Sequence, residues 1–146
     1  MELDILKQAV MDSRDGITIS ERRDGENPLI FVNPAFERMT GFAFEDITNV
    51  DCRYLQREDR DQPANPVIRA AIAAGEYCLV TLRNYRRDGS MFWNELSLSP
   101  IFGRDGQLTN FIGIQKDVTT RVTAEQQLVG KNRSLEDLAQ NMALLA

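Results

Sequence analysis

The chain has 146 residues, 42% apolar and 27% charged, which suits one water-soluble globular domain with a flanking element. Its formal charge of −5 argues against a nucleic-acid surface, and the absence of histidine removes histidine triads, the usual haem ligand and most zinc sites. Two cysteines make no disulfide framework, no apolar run reaches membrane length, and the acidic start Met1-Glu2-Leu3-Asp4 is unlike a secretory leader, so a cytoplasmic protein without membrane contact is expected.

Leu3, Leu6 and Val10 recur at helical spacing, predicting a short amphipathic helix over 2–12. Residues 16–20 read as a strand, Asp24-Gly25 as a turn and 29–32 as the return strand. Asn33-Pro34 starts a helix, with proline at the first helical position, and Gly41 ends it. Over 44–75 short helices joined by loops are expected, with Asn65 capping one that begins at Pro66 and Gly75 stopping it. Three long strands follow, at about 77–86, 90–101 and 108–118, separated by the hairpin pairs Asp88-Gly89 and Asp105-Gly106. Strands, small helices and then strands on one sheet predict an α+β domain at 15–118, between a cap helix at 1–14 and a C-terminal helix at 119–146. In that last helix Leu128, Leu135, Leu138, Met142 and Leu145 form a seam interrupted by Lys131. So narrow an apolar stripe suits a partner helix, and a homodimer through the terminal helices is expected.

Strand alternation puts residues two apart on one face. Cys78, Val80 and Leu82 lead to Asn84; Phe92, Leu96 and Leu98 share a face with Asn94; Phe111 and Gly113 precede Gln115. Three successive strands thus each carry a carboxamide on a face that otherwise looks inward. A single buried amide commonly bonds to nearby backbone, and an unpaired one costs about 1–3 kcal/mol. Three on adjacent strands point to a ligand, because a carboxamide both donates and accepts and can read a flat heterocycle whose edge mixes N–H and C=O groups. Leu96, Leu98 and Phe111 would enclose its ring faces.

Arg53, Arg57, Arg60 and Arg69 cluster in an otherwise acidic chain. If 53–60 is helical, Arg53, Gln56 and Arg60 share a face. Arginine forks match phosphate geometry, although Glu58, Asp59 and Asp61 could equally make this a solvated, balanced surface. Composition does not single out Cys52 as reactive; a free cysteine is commonly a small buried hydrophobe, as Cys78 looks to be.

Residues Asn49-Val50-Asp51-Cys52-Arg53-Tyr54-Leu55-Gln56 resemble the Gly-x-Asn-Cys-Arg-Phe-Leu-Gln signature of LOV domains, the blue-light-sensing branch of the PAS superfamily. Asn84-Tyr85-Arg86-Arg87-Asp88-Gly89, Phe92-Trp93-Asn94 and Gly113-Ile114-Gln115-Lys116-Asp117 are similar to the family's downstream blocks, in order and at matching separations. The likeness covers roughly 15–120, and the flanking helices look like those of bacterial short LOV proteins, particularly of pseudomonads.

The resemblance implies a PAS fold, a five-stranded antiparallel sheet with helices over one face. It implies a blue-light photoreceptor that holds flavin mononucleotide (FMN) non-covalently in the dark and forms a reversible bond between Cys52 and the flavin C4a carbon on illumination. It assigns Asn84, Asn94 and Gln115 to the flavin ring edge, Gln56 to the ribityl chain, and Arg53, Arg60 and Arg69 to the phosphate. The signal would pass through Gln115 to the terminal helices and an unidentified downstream partner. FMN is favoured over FAD because the 56–69 segment has no insertion to house an adenine; riboflavin stays open. Asn49 and Asp51 depart from the signature, and Asp51 is expected to bear on the thiol and on a ribityl contact. Gln62 and Asn65 stand where arginines occur in relatives, and Asp46 and Arg87 match a family surface ion pair. A flavin-based redox sensor and a cofactor-free PAS interaction module are the rival readings. An enzyme is least expected, since no acid–base or nucleophile–base arrangement is evident.

Overall fold

A computed structural model describes residues 2–145, except for the side chain of Cys52. The elements in chain order are α1 (Leu3–Asp12), β1 (Gly16–Glu21), β2 (Leu29–Val32), α2 (Pro34–Thr40), α3 (Phe44–Ile47), a 3-10 turn (Cys52–Gln56), α4 (Ala64–Ala74), β3 (Cys78–Tyr85), β4 (Met91–Phe102), β5 (Leu108–Asp117) and α5 (Thr119–Leu145). The strands form one sheet in the order β2-β1-β5-β4-β3, and the pairings are antiparallel. The N-terminal strand β1 lies beside the C-terminal strand β5, so the last strand adjoins the elements at both ends of the chain.

Two apolar clusters sit under the helices on one face of the sheet. Phe36 of α2 packs with Leu29, Val32, Phe42, Ile47 and Leu55, and Ala64 of α4 packs with Leu82 and Leu96. The local chemistry explains the helix ends. Asn33 Oδ1 accepts from the Phe36 N–H at 3.1 Å, Pro34 follows at the first helical position, and Gly41 closes α2 at φ 76°. Asn33 also fastens α1: its Nδ2 donates to the carbonyls of Val10 and Asp15, while Oδ1 accepts from the Ile17 N–H as well.

Two local expectations fail. α4 begins at Ala64, behind Pro63, and Asn65 does not cap it. Pro66 falls inside the first turn, where its missing N–H costs nothing. Residues 53–60 are not one helix either: the 3-10 turn stops at Gln56, and Arg57 reverses the backbone at φ 50°. Gln56 is buried while Arg53 and Arg60 are exposed, so the three share no face.

α5 is a single 27-residue helix with no buried residue among those described. Leu128, Leu135, Leu138, Met142 and Leu145 are all exposed on it. α1 likewise buries none of its residues. Among the described residues no helix is long and apolar enough to cross a membrane.

Candidate functional site

The inward face of β3, β4 and β5 carries the three amides as alternation predicts. Asn84, Asn94 and Gln115 are 3%, 1% and 2% exposed. Register sets Leu96 between Val80 and Gln115, and Leu98 between Cys78 and Gly113. Leu96 is buried and Leu98 half-buried, so both line the face that holds the amides. Burial pushes the Cys78 thiol above its ordinary pKa, as expected of a packing residue.

The amides are only partly partnered. Asn94 Nδ2 donates to Asn84 Oδ1 at 2.9 Å, and Asn84 Nδ2 donates to the Arg83 carbonyl at 3.0 Å. Gln115 Nε2 donates to Thr18 Oγ1 at 3.1 Å. Asn94 Oδ1 and Gln115 Oε1, both buried, accept from nothing among the described residues. Such orphan acceptors are rare in native folds and mark a place where a donor from outside the chain belongs.

On the other wall, amides saturate one another. Gln56 Nε2 donates to Asn65 Oδ1 and Asn65 Nδ2 donates to Gln56 Oε1, each at 2.8 Å. This pair fixes the 3-10 turn to the start of α4 and explains why Asn65 is unavailable as a cap. Gln62, also buried, pairs both backbone groups of Arg83 like an extra strand residue, accepting from its N–H at 2.7 Å and donating to its carbonyl at 2.9 Å. Asp59 takes the guanidinium of the same Arg83 at 2.7 and 2.9 Å and the Tyr85 hydroxyl at 2.7 Å. Those donors, Arg83 first, hold the Asp59 carboxyl down to about 2.

The signature segment runs into this second wall and ends at Gln56. Cys52 opens the 3-10 turn; its side chain lies outside the described residues. Asp51 caps that turn, its Oδ1 accepting from the Arg53 N–H at 2.9 Å and from Arg53 Nε at 3.2 Å, and its Oδ2 accepts from the Asn27 N–H. Asn49, in the glycine position of the signature, adopts φ 62°, a conformation asparagine tolerates better than other side chains. Arg60 Nε donates to the Arg57 carbonyl, and Arg69 is exposed on α4. The arginines therefore stand on the solvent side and do not converge on a common partner within the chain.

Sequence reading missed Thr18, Gln62 and Asp59. For Thr18 a signal was there, because alternation with Ile17 and Ile19 puts Gly16 and Thr18 on the opposite face. For Gln62 and Asp59 there was none, since both lie in irregular backbone.

A PAS domain profile matches residues 14–120, and with the five-stranded sheet and its one-sided helices it defines the class. An RNA-binding light-oxygen-voltage receptor of known structure is 42% identical, with a TM-score of 0.83 over 92% of this chain and 37% of that one. The blue-light photoreceptor of Listeria monocytogenes is 38% identical over 138 residues, 94% of this chain and 54% of the relative. The bacterioopsin transcriptional activator of Halobacterium salinarum is 39% identical over 132 residues, 90% of this chain and 20% of the relative. The chain thus spans about half the length, or less, of these two curated relatives. It belongs to the PAS superfamily as a LOV domain, the flavin-binding, blue-light-sensing branch.

Proposed function

We propose that this domain binds FMN and senses blue light through reversible bonding of Cys52 to the excited flavin. The observation that carries the reading is the pair of buried orphan acceptors, Asn94 Oδ1 and Gln115 Oε1, on neighbouring strands. A planar ring whose edge mixes donors and acceptors pairs with Asn94 through Oδ1 and with Gln115 through whichever end of its amide is turned toward it, while Leu96 and Leu98 cover its faces. The flavin supplies the absorption of blue light and an electrophilic ring carbon for the Cys52 sulfur.

The chain's own residues do the rest. Asn84 and Asn94, already bonded to each other, read the ring edge as a unit. Gln56, held by Asn65, borders the ribityl chain, as does the Asp51 turn. Arg53 and Arg60 are each bonded through Nε, to Asp51 and to the Arg57 carbonyl, so their exposed Nη groups, with the exposed Arg69, are what a phosphate would meet, which favours FMN over riboflavin. Gln115 meets a change from acceptor to donor at the ring edge by turning its amide. It sits two residues before the end of β5, and α5 follows directly. Its turn therefore biases the packing of α5 and, through the β1 partner strand, of α1. The core at 15–118 senses, the flanking helices report, and α5 pairs with a second copy along Leu128, Leu135, Leu138 and Met142.

The test is the absorption spectrum of purified protein before and after a blue pulse. A flavin spectrum that bleaches and recovers in the dark is expected. Cys52→Ala keeps the colour and loses the bleaching; bleaching that survives in that variant refutes the assignment.

A further inference from the structure

We propose that Arg57 is a positioning residue: it clamps the loop after the 3-10 turn to the β3–β4 hairpin and so aims the Arg60 guanidinium at the flavin phosphate. The inference rests on the flavin reading above. It names a residue, outside the phosphate contacts themselves, that sets how well FMN is told from riboflavin.

Arg57 sits where an arginine is unfavourable. The Asp59 N–H donates to the Gln56 carbonyl at 3.0 Å, closing a four-residue turn whose first central residue is Arg57. Its torsions, φ 50° and ψ −125°, are those of a type II′ turn, a place that glycine commonly fills. A side chain there strains the backbone, and strain that the surrounding structure holds in place points to a use.

The side chain supplies what glycine lacks. Arg57 Nη2 donates to the carbonyls of Arg86 at 2.9 Å and Arg87 at 3.1 Å, just beyond the end of β3. The main-chain carbonyl of Arg57 in turn accepts from Arg60 Nε at 2.8 Å. Asn65 Nδ2, within the pair that Asn65 makes with Gln56, also donates to the Arg60 carbonyl. Arg60 is therefore held both at its backbone and at Nε. It stays exposed, and its Nη groups meet no partner among the described residues. A guanidinium fixed in this way loses little further freedom when it grips a phosphate. With glycine at 57 the turn is still accessible, but so are many other conformations, and the carbonyl that steers Arg60 is no longer pinned to the hairpin.

The experiment measures the affinity of the full-length apo-protein for FMN and for riboflavin, which differ by the phosphate alone. Arg57→Gly is the variant of choice, because glycine takes the turn without strain and the fold is kept while the clamp is lost. FMN affinity is expected to fall about three- to tenfold and riboflavin affinity to stay within about twofold. NMR of the apo-protein should show the Arg60 Nε–H exchanging faster with solvent. In an Arg60→Gln background, Arg57→Gly should change FMN affinity by less than about twofold, since the group it steers is gone. Equal losses for the two flavins would reduce Arg57 to a structural role and overturn the proposal. The full FMN-selective loss persisting without Arg60 would mean that Arg57 draws the phosphate by its own charge, which overturns it too. A wild type that binds both flavins, with an unchanged affinity ratio in Arg57→Gly, overturns this proposal alone. A wild type that binds neither overturns the flavin reading, and the phosphate assignment with it.

Discussion

The two walls of the site use the same functional group in opposite ways. On the helical wall, Gln56, Asn65 and Gln62 are bonded reciprocally, to each other or to a backbone pair. On the strand wall, Asn94 and Gln115 each donate once and leave an oxygen unpaired in a buried place. A saturated amide stabilises the fold, whereas an orphan costs about 1–3 kcal/mol until something supplies a donor. The difference separates side chains that hold the fold together from those that would pair with a bound ring.

The largest expected effect tests the strand wall. Asn94→Leu removes one orphan oxygen but also strips Asn84 Oδ1 of its donor, so fold stability should change little. Flavin affinity should fall about thirtyfold, or ~2 kcal/mol, for a lost buried pairing. Titration of apo-protein with FMN measures the affinity and urea unfolding of the apo-protein measures the stability. Equal losses in both would erase the distinction between the walls.

The converse substitution is Gln62→Leu. It leaves the N–H and carbonyl of Arg83 unpaired at the edge of β3 and should cost about 1–2 kcal/mol of stability. Flavin affinity should stay within about threefold, since no ring-edge contact is touched. A collapse of binding with intact stability would move Gln62 to the reading side.

How legible each wall was follows from its backbone. On the strands a period of two carried the argument, and Asn84, Asn94, Gln115, Leu96 and Leu98 all lie where it placed them. On the other wall no period exists. Arg57 reverses the chain at φ 50°, which separates Arg53, Gln56 and Arg60, and the Gln56–Asn65 pair moves the start of α4 ahead of Pro66. Both errors share a cause: side chains nine residues apart decide the local backbone, and local spacing does not show them. For Cys52 and the arginines the motif resemblance assigns roles by analogy rather than by geometry.

A smaller effect is expected at Asp59, which pins the same loop to Arg83 and Tyr85. Its carboxyl is held down to about 2, below the ordinary ~3.9. The stabilisation is therefore complete above about pH 4 and is lost as pH falls toward 2, where the folded carboxylate takes up a proton. Urea unfolding between pH 5 and pH 2 should show Asp59→Asn less stable than wild type at the upper end. The gap should close toward the lower end. A gap that widens on acidification would mean that the carboxylate is not the group holding the loop.

The smallest effect belongs to the ion pair of Arg87 Nη1 with Asp46 Oδ2 at 3.0 Å, whose side chains are 64% and 39% exposed. Solvent screens such a pair, and its coupling should be below about 1 kcal/mol and should shrink in high salt. Asp46→Ala alone would overstate it, because the same Oδ2 accepts from the Ala43 N–H and helps start α3. The clean measurement is a double-mutant cycle with Arg87→Gln, which leaves the Arg87 backbone bond to the Thr40 carbonyl in place. This contact joins the β3–β4 hairpin to α3 on the outside of both walls, so its removal should alter neither flavin affinity nor recovery. A coupling well above 1 kcal/mol, or a change in recovery, would extend the flavin-sensitive surface beyond the strand wall.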